Sequence, residues 1–144
     1  MTAEDLKRRT KDFALRVMKL VDVLPRSTAG QVIGKQLLRS ATSVGANYRA
    51  ACRAQSRAEF AAKLSIVVEE ADETLYWPEL LRGSGLVKPE RLTELLNEAG
   101  ELLAIVIASR KTVRAAGRSD RSRASQAIVN HQSSIVNSSE PWRH

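Results

Sequence analysis

A basic face on one predicted helix is the strongest candidate for binding chemistry in this sequence. At about 100° per residue, four cations lie about half a turn from an apolar stripe, and no acidic residue occurs between positions 26 and 59. The four are Lys35, Arg39, Arg49 and Arg53. Such a face could follow a nucleic-acid backbone, because every neutralised phosphate releases counterions and adds affinity that does not depend on sequence. A simple solvated face remains an alternative.

An acidic face follows on the next predicted helix, where Glu59, Glu70 and Glu73 lie opposite the apolar residues. A basic stripe and an acidic stripe on one chain complement each other head to tail, and such contacts close into rings when the rotation allows. Arg53, with the three glutamates, is therefore also a candidate for an oligomer interface. Assembly, nucleic-acid binding and solvation all stay open for these residues.

Catalytic and metal-binding chemistry find little support. A di-iron bundle needs inward-facing Glu-x-x-His pairs, but the two histidines, His131 and His144, lie near the C-terminus. One cysteine excludes an intramolecular disulfide and a cysteine-based zinc cluster, and Cys52 falls on an apolar stripe, as a buried hydrophobe would. No phosphate-binding glycine loop or Ser/His/Asp set is evident. The sequence therefore predicts no enzyme, no catalytic residue, no metal and no cofactor.

The elements that must position these faces are four amphipathic helices, because apolar residues recur at spacings of three and four. Predicted bounds are about 3–24, 28–55, 57–82 and 89–115. Capping signals begin at Thr2, Thr28 and Ser56, and Pro78 predicts a kink or a break in the third helix. Glycine at positions 34 and 45 predicts close packing of a neighbouring helix. Residues 1–115 are thus expected to form an all-α, up-down antiparallel four-helix bundle.

Residues 116–144 differ in composition, since they are rich in serine and arginine and have no sustained apolar period. We predict a disordered tail. A short interaction helix is the alternative, because two apolar pairs, at 128–129 and 135–136, lie seven residues apart. The chain of 144 residues carries a formal charge of +7, which suits a polyanion or an acidic protein surface. No run approaches the apolar length of a membrane span, so a cytoplasmic location and no membrane partner are expected.

The run LLRSATSVGANYRAACRA at 37–54, with Glu59-Phe60 and EEADETLYW at 69–77, resembles the four-helix bundle protein family. This family is also called the 23S ribosomal RNA intervening-sequence protein family, and the resemblance covers about residues 10–110. The motif residues that carry over are Arg39, Asn47, Arg49, Arg53, Glu59, Glu70 and Glu73. Pro78 departs from the family, which usually has a larger apolar residue there.

The resemblance implies a small bacterial bundle that assembles as a ring-like homopentamer, with no enzymatic activity assigned to the family. A related branch comprises accessory proteins of diversity-generating retroelements, which partner a reverse transcriptase and contact nucleic acid through a basic surface. We therefore predict a non-enzymatic, oligomeric, nucleic-acid-associated adaptor that binds RNA or DNA. The alternative is a protein-interaction scaffold that docks an acidic or enzymatic partner, such as a reverse transcriptase, without touching nucleic acid.

Overall fold

The structure, a computed structural model, describes residues 1–138 and the side chains of residues 1–131. Its elements are α1 (Ala3–Asp22), α2 (Thr28–Ala51), α3 (Arg57–Ser84), a 3-10 turn (Pro89–Arg91) and α4 (Thr93–Ser138). Residues 1–138 contain no strand, so the all-α prediction is confirmed. Within this range no helix has both the length and the apolar content that crossing a bilayer requires.

The four helices form a closed up-down bundle. α2 packs between α1 and α3, and α4 packs against α3 and returns to α1. Short connections force consecutive helices to run antiparallel, which confirms the predicted arrangement. The core consists of side chains that recur every three or four residues, so that each helix turns one face inward. Its largest fully buried apolar members are Phe13, Val17, Leu37, Val44, Leu64, Val67, Leu81, Leu92, Leu102 and Val106.

An ion pair between the first and last helices closes the bundle. Arg9 Nε donates to both carboxylate oxygens of Glu98, at 3.0 and 3.1 Å, and its Nη2 also pairs with Glu101. Hydrogen bonding to Glu98 raises the pKa of Arg9 above its usual range. A fork held by two oxygens fixes orientation as well as distance, so this pair sets the register of α1 against α4.

The observed caps of α1 and α2 can be compared with the capping residues predicted from the sequence. At α1 the prediction is confirmed, since Thr2 Oγ1 accepts from Asp5 N at 3.1 Å and Thr2 N donates to Asp5 Oδ2 at 2.9 Å. At α2 it is wrong by one residue: the cap is Ser27, whose Oγ accepts from Gly30 N at 3.1 Å, and Thr28 is the first helical residue. Both residue types can cap, which is why the sequence did not separate them.

The third helix does not break at Pro78. α3 runs through this residue and ends at Ser84, and it is capped by Gly85, whose φ of 72° is the left-handed conformation that glycine adopts readily. Proline removes one backbone hydrogen bond, but Pro78 is buried, and its packing inside the bundle offsets that loss. The helix consequently ends two residues later than predicted.

The last helix differs most from expectation. α4 continues to Ser138, through residues predicted as a disordered tail, whereas α2 ends at Ala51, before the predicted 55. In this extension, residues 116–138, the side chains of residues 118–131 are exposed, so that part has no apolar face in the core. The bundle already supplies a formed helix, and each added residue then gains a hydrogen bond without a new nucleation cost. Residues 139–144 of the predicted tail lie outside the described residues.

Candidate nucleic-acid interface

The close approach of α1 and α2 forms the floor of a groove. A Cβ on Gly45 would lie 3.3 Å from Thr10 Oγ1, which is tighter than an ordinary side-chain contact. A Cβ on Gly34 would likewise lie 3.1 Å from Leu24 Cδ1. The buried Thr10 hydroxyl donates to the Lys7 carbonyl oxygen at 3.0 Å. The close packing predicted at these two glycines is therefore confirmed.

The walls of this groove, which we call the α1/α2 groove, are basic. The space has a volume of about 740 Å³. Its charged lining residues are Glu4, Lys7, Arg8, Lys11, Arg49 and Arg53. Five cations thus face one carboxylate, and the surrounding potential is positive.

Ion pairs on α1 neutralise part of that charge. Lys7 Nζ pairs with Glu4 Oε1 at 2.8 Å, and Arg8 Nη2 pairs with Asp5 Oδ1 at 2.9 Å. The other three cations of the groove, which are Lys11, Arg49 and Arg53, form no ion pair within residues 1–131. These three are free to meet an external anion.

Of the four cations predicted to bind nucleic acid, Arg49 and Arg53 line the groove, whereas Lys35 and Arg39 do not. Lys35 is exposed on α2, outside the lining. Arg39 reaches α3 instead: its Nη1 lies 3.1 Å from Glu70 Oε2, and its Nη2 pairs with Glu73. The hydrogen bond to Glu73, together with the charges of both glutamates, raises the pKa of Arg39. One cation between two carboxylates leaves a local charge of −1.

The acids predicted for the oligomer interface all have partners in their own chain. Glu70 and Glu73 hold Arg39, and Glu73 Oε1 also accepts from Trp77 Nε1 at 3.3 Å. Glu59 Oε2 accepts from Gln55 N at 3.1 Å, and Glu59 N donates to Oγ of the predicted cap Ser56 at 3.1 Å. Glu70 and Glu73 thus link α3 to α2, and Glu59 stabilises the start of α3. Whether they also meet another subunit stays a prediction.

Sequence reasoning missed the contribution of α1. Lys7, Arg8 and Lys11 lie on the polar side of its helical period, but nothing in a single helical period shows which neighbouring helix that side will border. A usable signal was the glycine at 45, because close approach there brings α1 beside Arg49 and Arg53.

Other chemistry is sparse. Within the described residues, no group of three or more His, Cys, Asp and Glu side chains could hold a metal ion. Tyr48 is buried in the core, and Cys52, half-buried, packs against that core. Burial, followed by a hydrogen bond with Cys52, raises the pKa of Tyr48 above its usual range.

Comparison with known proteins identifies the family. The chain is similar to a protein of unknown function from the S23 ribosomal protein family of Bacteroides thetaiotaomicron, whose crystal structure superposes with a TM-score of 0.71 at 39% identity. The match covers 77% of this chain and 99% of that one. A search of curated proteins found no match. The sequence profile described as 23S rRNA-intervening sequence protein matches residues 4–108. The chain therefore belongs to the 23S rRNA-intervening sequence protein family.

Proposed function

We propose that the protein is a non-enzymatic homo-oligomer that binds the phosphate backbone of RNA or DNA in the α1/α2 groove. The observation that supports this most directly is a set of three cations that form no ion pair with the described side chains, Lys11, Arg49 and Arg53, on the two walls of one groove. The family name refers to 23S rRNA, and this makes RNA the first ligand to test.

The groove favours contact with phosphates over contact with bases. Arg49 lies in the last turn of α2 and Arg53 two residues beyond its end, and guanidinium groups match phosphate oxygens in pairs. Sequence-tolerant binding to bases needs aromatic side chains on which they stack. Within residues 1–131, no aromatic side chain lines this groove. Binding should therefore depend strongly on salt and weakly on sequence.

The test is a salt titration of RNA binding, followed by fluorescence anisotropy. Three phosphate contacts with a single strand in this groove contribute about −2.1 to the slope of log K against log salt, or about an 18-fold loss from 50 to 200 mM. The double variant Arg49→Gln/Arg53→Gln removes two of these contacts, so its slope should be less negative by about 1.4. A matched control is Arg82→Gln/Lys88→Gln, which removes the same charge from exposed positions outside the groove. Equal slopes for the two doubles would refute the groove as the binding site.

Assembly is supported by exposed apolar side chains on the outer face of α3. Ile66, Tyr76 and Leu80 are 45%, 52% and 39% exposed, and at 100° per residue they share this face with Glu73. We propose that a second copy of the chain covers it, as the pentamer expectation requires. Light scattering of the same titration samples measures this, because each subunit adds 15.9 kDa. A mass of one subunit at all concentrations would contradict assembly.

The second candidate function is a scaffold that docks an acidic or enzymatic partner, such as a reverse transcriptase, without touching nucleic acid. The same unpaired cations favour it, since carboxylates also pair with arginine. An oligomer that ignores RNA and DNA at 50 mM salt would support this function over the first.

A further inference from the structure

We propose that the extension of α4 and the start of α3 form a second phosphate-binding groove, which contacts a nucleic-acid strand away from the α1/α2 groove. This α3/α4 groove has a volume of about 570 Å³. Its floor is made of small or apolar residues, and its rim carries four arginines. The rim residues are Arg57, Arg114, Arg118 and Arg121. The ligand class rests on the proposed function, whereas the surface is new.

Contacts between the helices hold the rim in place. Arg57 of α3 pairs with Asp120 of the extension, and Arg114 Nη2 donates to Ser65 Oγ at 3.0 Å. Asp120 is the one acidic residue of the lining, and the Arg57 pair neutralises it. Arg118 and Arg121 are exposed and form no ion pair within residues 1–131. The groove therefore presents unpaired positive charge on a scaffold tied at two points.

The arginines of α4 are aligned. At 100° per residue, Arg114, Arg118 and Arg121 fall within a sector of about 60°. A smaller hollow of about 280 Å³ shares Arg114 and Arg118 and adds Arg110 and Lys111. The basic surface is thus continuous from residue 110 to residue 121.

The spacing fits one strand of nucleic acid. Residues 114 to 121 span about 10.5 Å of helix axis, which is about the length of three stacked nucleotides at 3.4 Å each. Three arginines can thus meet about three phosphates. Protein partners, by contrast, usually anchor aromatic or large apolar side chains in desolvated pockets, whereas here Val113 is the largest apolar side chain of a lining that is otherwise small or charged. These features favour a phosphate backbone over an acidic protein.

This groove lies largely outside the part of the chain that the family shares. The family match ends at residue 108, and three of the four rim arginines come later. Arg57 alone belongs to the matched range. The second surface therefore depends on a segment that the family profile does not include.

The test uses full-length single variants in the same salt titration with an RNA oligonucleotide. Arg118→Gln and Arg121→Gln should each make the slope of log K less negative by about 0.7, the contribution of one single-strand phosphate. Arg123→Gln is the matched control, because residue 123 lies half a turn from Arg114 on the same exposed extension and loses the same charge. Its slope should equal that of the wild type. Circular dichroism at each step verifies that helix content is unchanged.

Three results would overturn the proposal. If Arg121→Gln and Arg123→Gln change the slope equally, net charge and not the groove is responsible. If RNA binding depends on Arg49 and Arg53 but not on Arg118 and Arg121, the proposed function stands and the second groove does not. If direct binding of polyglutamate requires Arg121, while Arg121→Gln leaves RNA affinity unchanged, the groove binds an acidic protein.

Discussion

Replacing Arg39 tests whether a cation of the predicted basic face can still bind a ligand when it already pairs with carboxylates. Arg39 and Arg53 belong to the same predicted basic face, although Arg53 lies two residues beyond the end of α2, and their replacement by glutamine removes the same formal charge. Their surroundings differ, because Arg39 lies between two carboxylates, whereas Arg53 forms no ion pair within residues 1–131. We expect Arg53→Gln to weaken RNA binding substantially and Arg39→Gln to have little effect.

The size of the difference follows from the contacts. In 0.1 M salt, the loss of one single-strand phosphate contact lowers log K by about 0.7, so Arg53→Gln should weaken binding about 5-fold. The Arg39 cluster carries a local charge of −1 and attracts no phosphate, so we expect less than a 2-fold change there. Arg39 is 45% exposed, and exposed pairs contribute up to about 1 kcal/mol to stability. Arg39→Gln should therefore cost less than about 1 kcal/mol in the free energy of unfolding.

The assay is anisotropy at constant 0.1 M salt with both single variants, and urea unfolding gives their stability. A 5-fold weakening by Arg39→Gln, with stability unchanged, would refute the reasoning. It would show that the guanidinium leaves its carboxylates to bind phosphate, as the sequence-based assignment of Arg39 to the nucleic-acid site predicts.

Further predictions concern the scaffold. Gly30→Ala should lower the free energy of unfolding by about 2 kcal/mol, since its Cβ would overlap the backbone carbonyl of the preceding loop. Gly100→Ala should instead raise it by about 1 kcal/mol, because no described atom outside its own stretch of helix lies within 4 Å of that Cβ and alanine favours helix. Urea unfolding measures both, and the same sign for both would contradict this account. Burial raises the pKa of Tyr48 above its value of about 10 in an unfolded chain, so its stabilising contribution is present below pH 10 and is lost as pH rises further. Tyr48→Phe should lose less stability than the wild type between pH 9 and pH 11; identical losses would assign the alkaline effect to other groups.

The bundle could be predicted from the sequence because its signal is local. An apolar residue every three or four positions requires a helix with one buried face, and Phe13, Leu37, Leu64 and Leu102 follow that pattern into the core. The extension of α4 could not be predicted in this way, since its exposed side chains give no apolar period. Its helix depends on continuity with the buried part of α4.

The candidate site was only half predictable, for a geometric reason. A helical wheel locates a side chain around its own axis, but it does not show which neighbour a long side chain can reach. Arginine has a flexible stem and reaches several ångströms across a surface, so Arg39 meets α3 although its Cα lies on the outer stripe. Arg53 is exposed, as its place on the helical wheel predicts, because the charged side chains beside it in the groove are mostly cations, with which it does not pair.

The unbroken course of α4 bears on how two weak sites would act together. From residue 93 to residue 138 the chain has no proline, and its single helix is about 69 Å long at 1.5 Å per residue. The arginines of the extension are therefore carried by the same rod that packs in the bundle, and no flexible linker separates them from the α1/α2 groove. A strand held at one groove would meet the other at a high effective concentration, and modest contacts could then combine into strong avidity.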